Sequence, residues 1–525
     1  MDEKQNAFQI NREDNVATAL TPLVPGPVEL RGDACAPEVE AATEVPMGHK
    51  IALRDIRNGE DIVKYGVVIG RATADIPAGQ LGTPARHAQR LRPAFQPSGR
   101  QDRCSQRHEV RVKERLLMDW NELQSLTWPG YARKNGGKGI RNRVLVIYTV
   151  KCAEFVAQQI VAKSGSTNVE LLGFDGCTDN QYAVNLLISF IRHPNVGAVL
   201  AVGLGCEYVQ PEWLSKIAEE EGKPTSWMFI QNEGGTQPAV RKGVEWVQSA
   251  LKELENTPRV EMSVKDLVIG AECGGSDYTS GLAGNVVVGR FYDWLTDQGG
   301  TAIFEEIIEA IGLDHLLLKR AASEQAAKEL RYTYDKALEY CRSVRQYSVS
   351  PGNFAGGLST IEEKSMGAVI KSGSRPIQGV IKVSCPAPHP GLWLLDSTPD
   401  PYWMQFGITN PNDNEGLMDL ASCGAHIVFL VTGRGNVVGS AVAPCIKITG
   451  NGATYARMEG DMDFNANPVL RGECTQSELA RRLTELVVKT AAGQPTKSEA
   501  QGHHEFFVPY KYQEKQVAFK RACEE

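Results

Sequence analysis

The sequence predicts an α/β protein, with a small β-rich unit at the N-terminal end followed by two α/β domains with mostly parallel sheets. Three observations support this. From about Trp128 onward, apolar runs of strand length alternate with helical periodicity, the pattern of strand–helix–strand units. Ahead of that region, short β-branched stretches are separated by turn dipeptides. Several later strands end in turns that mix glycine with carboxylate, thiol and hydroxyl side chains, so one site is expected to be assembled from several strand ends. A chain of 525 residues is too long for one core, and the expected boundaries are 1–110, 111–263 and 264–525.

In the first unit, Lys50–Leu53 and Ile62–Ile69 read as strands, interrupted by Asn58-Gly59, Gly66 and Pro77-Ala78-Gly79. Residues 83–115 carry nine Lys or Arg against three acidic residues among scattered prolines, a linker composition. The α/β region is then predicted element by element. Strands are expected at Arg143–Val150, Val169–Gly173, Gly197–Val202 and Ser226–Ile230. Helices are expected at Ala153–Lys163, Asn180–Ile191, Pro211–Glu221 and Thr236–Leu254. A third region opens with the strand at Leu267, with helices expected near Gly281–Asp297, Phe304–Ile311 and His315–Arg345. A Gly-rich loop at 350–357 follows.

A net charge of -7 argues against general nucleic-acid binding, which needs a basic field. No apolar run approaches the roughly 20 residues of a membrane span. The N-terminus, Met1-Asp2-Glu3-Lys4, lacks the basic head and apolar segment of a secretory signal. Twelve cysteines are spread singly without a CxxC pair, as expected of reduced thiols in a cytoplasmic protein; any one of them can simply be a small buried hydrophobe. Large α/β enzymes are commonly symmetric, so a homo-oligomer is expected.

The most informative segment is Leu267–Asp277. An apolar run empties into Glu272-Cys273-Gly274-Gly275-Ser276-Asp277, where two glycines let a ligand approach the backbone. Similar layouts occur at Asp175-Gly176-Cys177, at Gly205-Cys206-Glu207 and at Thr432-Gly433-Arg434-Gly435-Asn436. Arg434 and Lys447 stand where a carboxylate or phosphate can be neutralised. The plainer alternatives are a structural ion pair for Arg434 and the outward side of a strand for Lys447. Asp461-Met462-Asp463 can supply a base or oxygen ligands, or be a solvated acidic loop. No P-loop and no GxGxxG after a strand is present, which disfavours nucleotide binding. Among nine histidines without HExxH or HxH spacing, His49 opens a strand and is the one most suited to function.

These motifs together resemble the altronate/galactarate dehydratase family. Gly203–Glu207, Glu272–Asp277, Gly352-Asn353 with Gly356-Gly357, Lys364-Ser365, Thr432–Gly435, Pro444 with Ile446-Lys447, and Asp461–Asp463 follow that family's order. Gly48-His49-Lys50 through Ile69-Gly70 resemble its SAF domain, which implies a β-clip-like N-terminal unit. The resemblance implies a cytoplasmic hydro-lyase that acts on a small-molecule sugar acid with iron(II) or manganese(II), and that binds neither nucleic acid nor membrane. The expected product is a 2-keto-3-deoxy acid, formed through an enediolate. In that chemistry Glu272 or Asp277 would move protons, with Lys447 as a further catalytic group. Arg434 and Lys447 would hold the substrate carboxylate, and Asn353, Ser276, Gly274 and Gly275 would complete the substrate site. Metal ligands would come from His49, Cys177, Cys206, Glu207 and Cys273. The His-x-His-Asn segment that usually closes the SAF domain is replaced by Gly79–Pro84, with His87 the nearest imidazole. A related carbon–sulfur lyase, such as a sulfolactate sulfo-lyase, and a catalytically silent sugar-acid-binding homologue are the alternatives.

Overall fold

A computed structural model describes residues 4–81, 119–178, 180–310, 312–344, 351–358, 361–399, 412–506 and 508–509. The basic segment 83–115, His87 and the 511–520 stretch lie outside the described residues. The chain divides into two compact units.

The described residues 4–81 of the first unit are β-rich. Strands β1 (Asn6–Gln9), β2 (Val16–Ala19), β3 (Gly26–Gly32), β4 (Glu38–Ala41) and β5 (Lys50–Ala52) form a sheet in the order β4-β3-β1-β2-β5. Its core is small, built on Ala7, Ala17, Ala19, Leu23, Val28 and Ile51. The Ile62–Ile69 stretch, expected to be interrupted at Gly66, is a hairpin of β6 (Asp61–Lys64) and β7 (Val67–Arg71). Tyr65 and Gly66 at its tip have φ of 63° and 72°. Two consecutive left-handed residues make the tight turn that suits the twist of a hairpin.

The second unit contains three sheets. Strands β8 (Thr127–Ala132), β9 (Lys138–Gly139) and β14 (Arg259–Ser263) form a small antiparallel sheet. Strands β10 (Arg143–Tyr148), β11 (Val169–Gly173), β12 (Val196–Gly203) and β13 (Thr225–Phe229) are parallel in the order β11-β10-β12-β13. Their crossover helices are Lys151–Lys163, Gln181–Arg192, Pro211–Glu220 and Thr236–Leu254, within a residue or two of expectation. Asn180 caps the second of these through Ala183 N, so the helix starts where the sequence signals it.

The largest sheet is fully parallel, with the order β17-β18-β16-β15-β19-β20-β21. It comprises β15 (Val268–Cys273), β16 (Thr301–Phe304), β17 (Ile377–Lys382), β18 (Gly391–Asp396), β19 (Ile427–Val431), β20 (Cys445–Thr449) and β21 (Phe464–Asn465). The chain leaves β15 toward β16 and later returns to β19 on the opposite side, so the strand order reverses at the β15/β19 boundary. Ligands of open parallel sheets bind at such a switch point, at the carboxyl ends of the strands.

Two expectations fail in this region. Residues 304–310 of the helix expected at Phe304–Ile311 are not helical: Phe304 ends β16, and the chain then turns. The long helix expected at His315–Arg345 is broken into Asp314–Leu318 and Glu324–Val344. Ala321 and Ala322 pair with Ile377, and Ser323 Oγ caps the second helix through Ala326 N, so the intervening residues serve the sheet edge.

The two parallel sheets share one core. Helix Gln181–Arg192 packs its buried face against helix Asp413–Ser422, together with Leu145, Val199, Val428 and Leu430. Tyr182 Oη donates to Asp419 Oδ1 across this seam at 2.7 Å. Among the described residues no helix is long and apolar enough to cross a membrane.

Candidate active site

The turn after β15 is held in place by the turn after β19. Gly274 N donates to Val431 O at 2.8 Å, and Gly275 O accepts from Gly433 N and Arg434 N at 3.0 Å. Thr432 Oγ1 also donates to Gly275 O at 3.2 Å, and Asn353 Nδ2 donates to Ser276 O at 2.9 Å. A side chain at position 274 would meet Asn436 and Thr432 at 3.2 Å and Asp413 at 3.5 Å, so glycine leaves room beside these polar groups. The structure therefore brings Glu272, Cys273, Gly274, Gly275, Ser276, Asp277, Asn353 and Arg434 into one region.

Within that region their circumstances differ. Asp277 is 1% exposed and committed to the wall: Oδ1 accepts from Thr279 N at 2.8 Å and Thr279 Oγ1 at 2.6 Å, and Oδ2 accepts from Asn451 Nδ2 at 2.8 Å. With both oxygens engaged, it is a brace for the turn and a poor proton shuttle, contrary to the sequence expectation. Ser276 Oγ lies 2.6 Å from Cys273 Sγ. Burial pushes the Cys273 thiol up to about 11, so it is a neutral thiol at pH 7. Arg434 is exposed, and its Nη1 donates to Gly352 O at 3.0 Å.

Glu272 is different. It is 8% exposed, Oε2 is enclosed, and no hydrogen bond reaches its carboxyl among the described residues. Burial raises its pKa well above the usual carboxylate range, and Glu305 and Glu306 add to the effect. Glu305 and Glu306 directly follow β16, the neighbouring strand. Glu305 accepts from the Ser397 hydroxyl and is pushed up to about 8, first by burial and then by Glu309. Glu306 pairs with Lys371, and both are buried.

The cations are on one helix. Lys364 and Lys371 lie seven positions apart on helix Ile361–Lys371, and so share a face. Burial opposes both charges, but the acidic groups around them prevail: Cys273, Glu309, Glu306 and Glu272 raise Lys364, and Glu306, Cys273 and Glu272 raise Lys371. Lys364 Nζ stands 3.9 Å from Cys273 Sγ. Asp413, held to Asn436 Nδ2 at 2.7 Å, completes the cluster. Glu305, Glu306, Glu309, Lys371 and Asp413 were not singled out from the sequence.

Lys447 lies on β20, two strands from β15. It is completely buried, and its ammonium has no hydrogen-bond partner among the described residues. It is therefore neither the outward side of a strand nor bonded to the Gly274–Asp277 turn. Asp463 accepts from Lys447 N at 2.9 Å and Lys497 N at 2.8 Å, which makes it a backbone tie.

The five expected metal donors lie on different elements. Cys177, Cys206 and Glu207 sit on loops of the four-stranded sheet, Cys273 belongs to the seven-stranded sheet, and His49 belongs to the other compact unit. Glu207 turns inward: Oε1 accepts from Thr149 Oγ1 at 2.6 Å and Leu204 N at 2.9 Å, and Oε2 from Gly205 N at 2.8 Å and Cys206 N at 3.0 Å. Four hydrogen bonds use up its acceptor capacity. Among the described residues no group of three or more His, Cys, Asp or Glu is arranged to hold a metal.

Comparison with known proteins matches three segments of the chain to one family. Residues 5–81 match the altronate/galactarate dehydratase SAF domain, 130–255 the second domain of D-galactarate dehydratase/altronate hydrolase, and 264–514 the D-galactarate/altronate dehydratase C-terminal domain. The chain is 30% identical to altronate dehydratase of Escherichia coli (strain K12), over 95% of this chain and 98% of that one. It is 29% identical to altronate dehydratase of Bacillus subtilis (strain 168), with the same coverage of 95% and 98%. It is also 32% identical to the (2R)-sulfolactate sulfo-lyase subunit beta of Chromohalobacter salexigens, over 75% of this chain and 99% of that subunit.

Proposed function

Because the chain belongs to the altronate/galactarate dehydratase family and so is a hydro-lyase, we propose that it dehydrates an α,β-dihydroxy sugar acid to a 2-keto-3-deoxy acid. Aldonates such as altronate and aldarates such as galactarate are the candidate substrates. The observation that carries this reading is the convergence, at the switch point, of a buried carboxyl without a hydrogen-bond partner among the described residues and two ammonium groups on one helix face.

Removal of the proton beside a carboxylate builds an enediolate with nearly two negative charges. Lys364 and Lys371 supply fixed positive charge next to Glu272, where low dielectric strengthens its effect. Glu272 transfers a proton, and its enclosed, donor-free setting raises its pKa well above the usual carboxylate range, which suits an acid. Arg434 stands exposed at the rim and can engage a carboxylate with a planar pair of N–H donors. The Gly274-Gly275 backbone leaves room for the sugar chain.

The test is a substrate panel of aldonates, aldarates and sulfolactate, with formation of a 2-keto-3-deoxy acid as readout. We expect conversion of at least one sugar acid, with loss of about 10²- to 10⁴-fold in kcat for Glu272→Gln. Release of sulfite from sulfolactate without sugar-acid turnover would move the assignment to the carbon–sulfur lyase. The dependence on iron(II) or manganese(II) that the resemblance implies is tested by chelation and readdition of each ion.

A further inference from the structure

Two glutamates leave the large sheet side by side. Ala271 of β15 is in register with Phe304 of β16, and Glu272 and Glu305 directly follow them, on backbones about 5 Å apart by strand spacing. Both are covered by helix Asp413–Ser422. Its Gly416 lies against the Glu272 carboxyl, where any Cβ would overlap Oε2, and its Asp419 acts on Glu305. Their surroundings nevertheless differ. Burial raises both, but the Ser397 hydroxyl that Glu305 accepts offsets part of the rise there, whereas Glu272, with Oε2 enclosed, has no such donor among the described residues.

On the dehydratase reading above, we propose that Glu272 and Glu305 form an acid–base pair, with Glu305 the base that takes the α-proton and Glu272 the acid that protonates the departing β-hydroxyl. The C2–H bond breaks and its proton passes to Glu305. The electron pair is first held in the enediolate of the substrate carboxylate; it then forms the C2–C3 double bond as the C3–O bond breaks, and the hydroxyl leaves as water carrying the Glu272 proton. The resulting enol tautomerises to the 2-keto-3-deoxy acid, taking a proton at C3 and losing one from oxygen. The Glu272 and Glu305 protonation states are thereby exchanged, and one proton passing between the adjacent carboxyls resets the pair. Lys371, paired with Glu306 beside them, keeps the local charge from rising as the proton moves. Neighbouring carboxyls whose environments push their affinities apart are the usual means of running acid and base chemistry in one site.

The experiment follows the panel substrate in D2O by NMR, scoring product formation and deuterium at C2 of recovered substrate. Glu305→Gln is expected to lose both turnover and C2 exchange by about 10²-fold or more. Glu272→Gln is expected to lose turnover while retaining C2 exchange, because enolisation survives without the acid. Turnover by Glu305→Gln within threefold of wild type overturns the pair, and so does loss of C2 exchange in Glu272→Gln. If Glu305→Gln fails to fold, Ser397→Ala decides, since it leaves both carboxyls in place. The lower limb of its pH–rate profile should move to higher pH, and an unmoved limb overturns the proposal. A wild type that converts nothing in the panel overturns the dehydratase reading and the pair with it. An active wild type with an active Glu305→Gln overturns the pair alone.

Discussion

The Glu272 carboxyl fits where it does because residue 416 has no side chain. Gly416 sits inside helix Asp413–Ser422, where alanine would favour the helix by about 1 kcal/mol. Gly416→Ala should therefore leave the melting temperature unchanged or raised while pushing the carboxylate end of Glu272 aside. A displacement on the order of 1 Å can cost about 10²-fold in rate. We expect kcat to fall at least tenfold with KM little changed; a fully active variant would show that this carboxyl need not sit where it does. The pH dependence follows from the neighbouring carboxyl. Glu305 is pushed up to about 8 by burial and by Glu309, Glu306 and Asp419, with Ser397 opposing, and Glu272 stands beside it. The base must be ionised, so kcat/KM should rise with pH toward about 8, roughly tenfold per unit below that value. It should fall again where Glu272 loses its proton. A profile that is flat from pH 6 to 9 would contradict the assignment of Glu305 as the base.

At the scale of elements, the paired turns after β15 and β19 are rigid where the Glu272 carboxyl is adjustable. A Cβ at Gly433 would overlap Asp277 Oδ1, and Asp277 cannot swing away because Thr279 and Asn451 hold both its oxygens. Gly433→Ala should thus destabilise the fold by about 1–3 kcal/mol, in contrast to Gly416→Ala, as read from urea midpoints. This pair of turns was legible in the sequence because each follows a long apolar run and contains the glycines a close crossing needs. The other wall of the site was not. Thr301–Phe304 is a short strand buried on both faces, so it shows no alternation. Phe304, Ile307, Ile308 and Ile311 fall at helical spacing and imitate a helix. Reading a helix there hid Glu305 and Glu306 at a strand end. Lys371 was equally hidden, because its partner Glu306 is 65 positions away and becomes a neighbour only when β16 meets helix Ile361–Lys371.

For the molecule as a whole, the sheet that bears Cys177 and Cys206 and the sheet that bears Glu272 are joined by more than their shared apolar core. Glu499, in the short helix Lys497–Gln501, accepts from Arg141 Nε at 2.8 Å and Nη2 at 2.9 Å, and from Arg143 Nη2 at 2.5 Å. Arg143 lies on β10 and also pairs with the buried Glu170, and His504 stands 3.1 Å from that glutamate. The C-terminal part of the chain is thereby tied to the four-stranded sheet. Burial opposes ionisation of Glu499, but Arg141 and Arg143 outweigh it and hold the carboxyl below its usual value. Its contribution to stability is therefore present above the ordinary glutamate range and lost as the pH falls through the depressed value. Glu499→Gln leaves the largely buried Arg141 without its carboxylate and Arg143 with Glu170 alone, and should cost about 3–5 kcal/mol at pH 7. Urea denaturation of wild type and variant, compared at pH 7 and again below the carboxylate range, should show the gap closing as the wild-type carboxyl takes up its proton. A gap of equal size at both pH values would mean that the network acts through packing and not through charge.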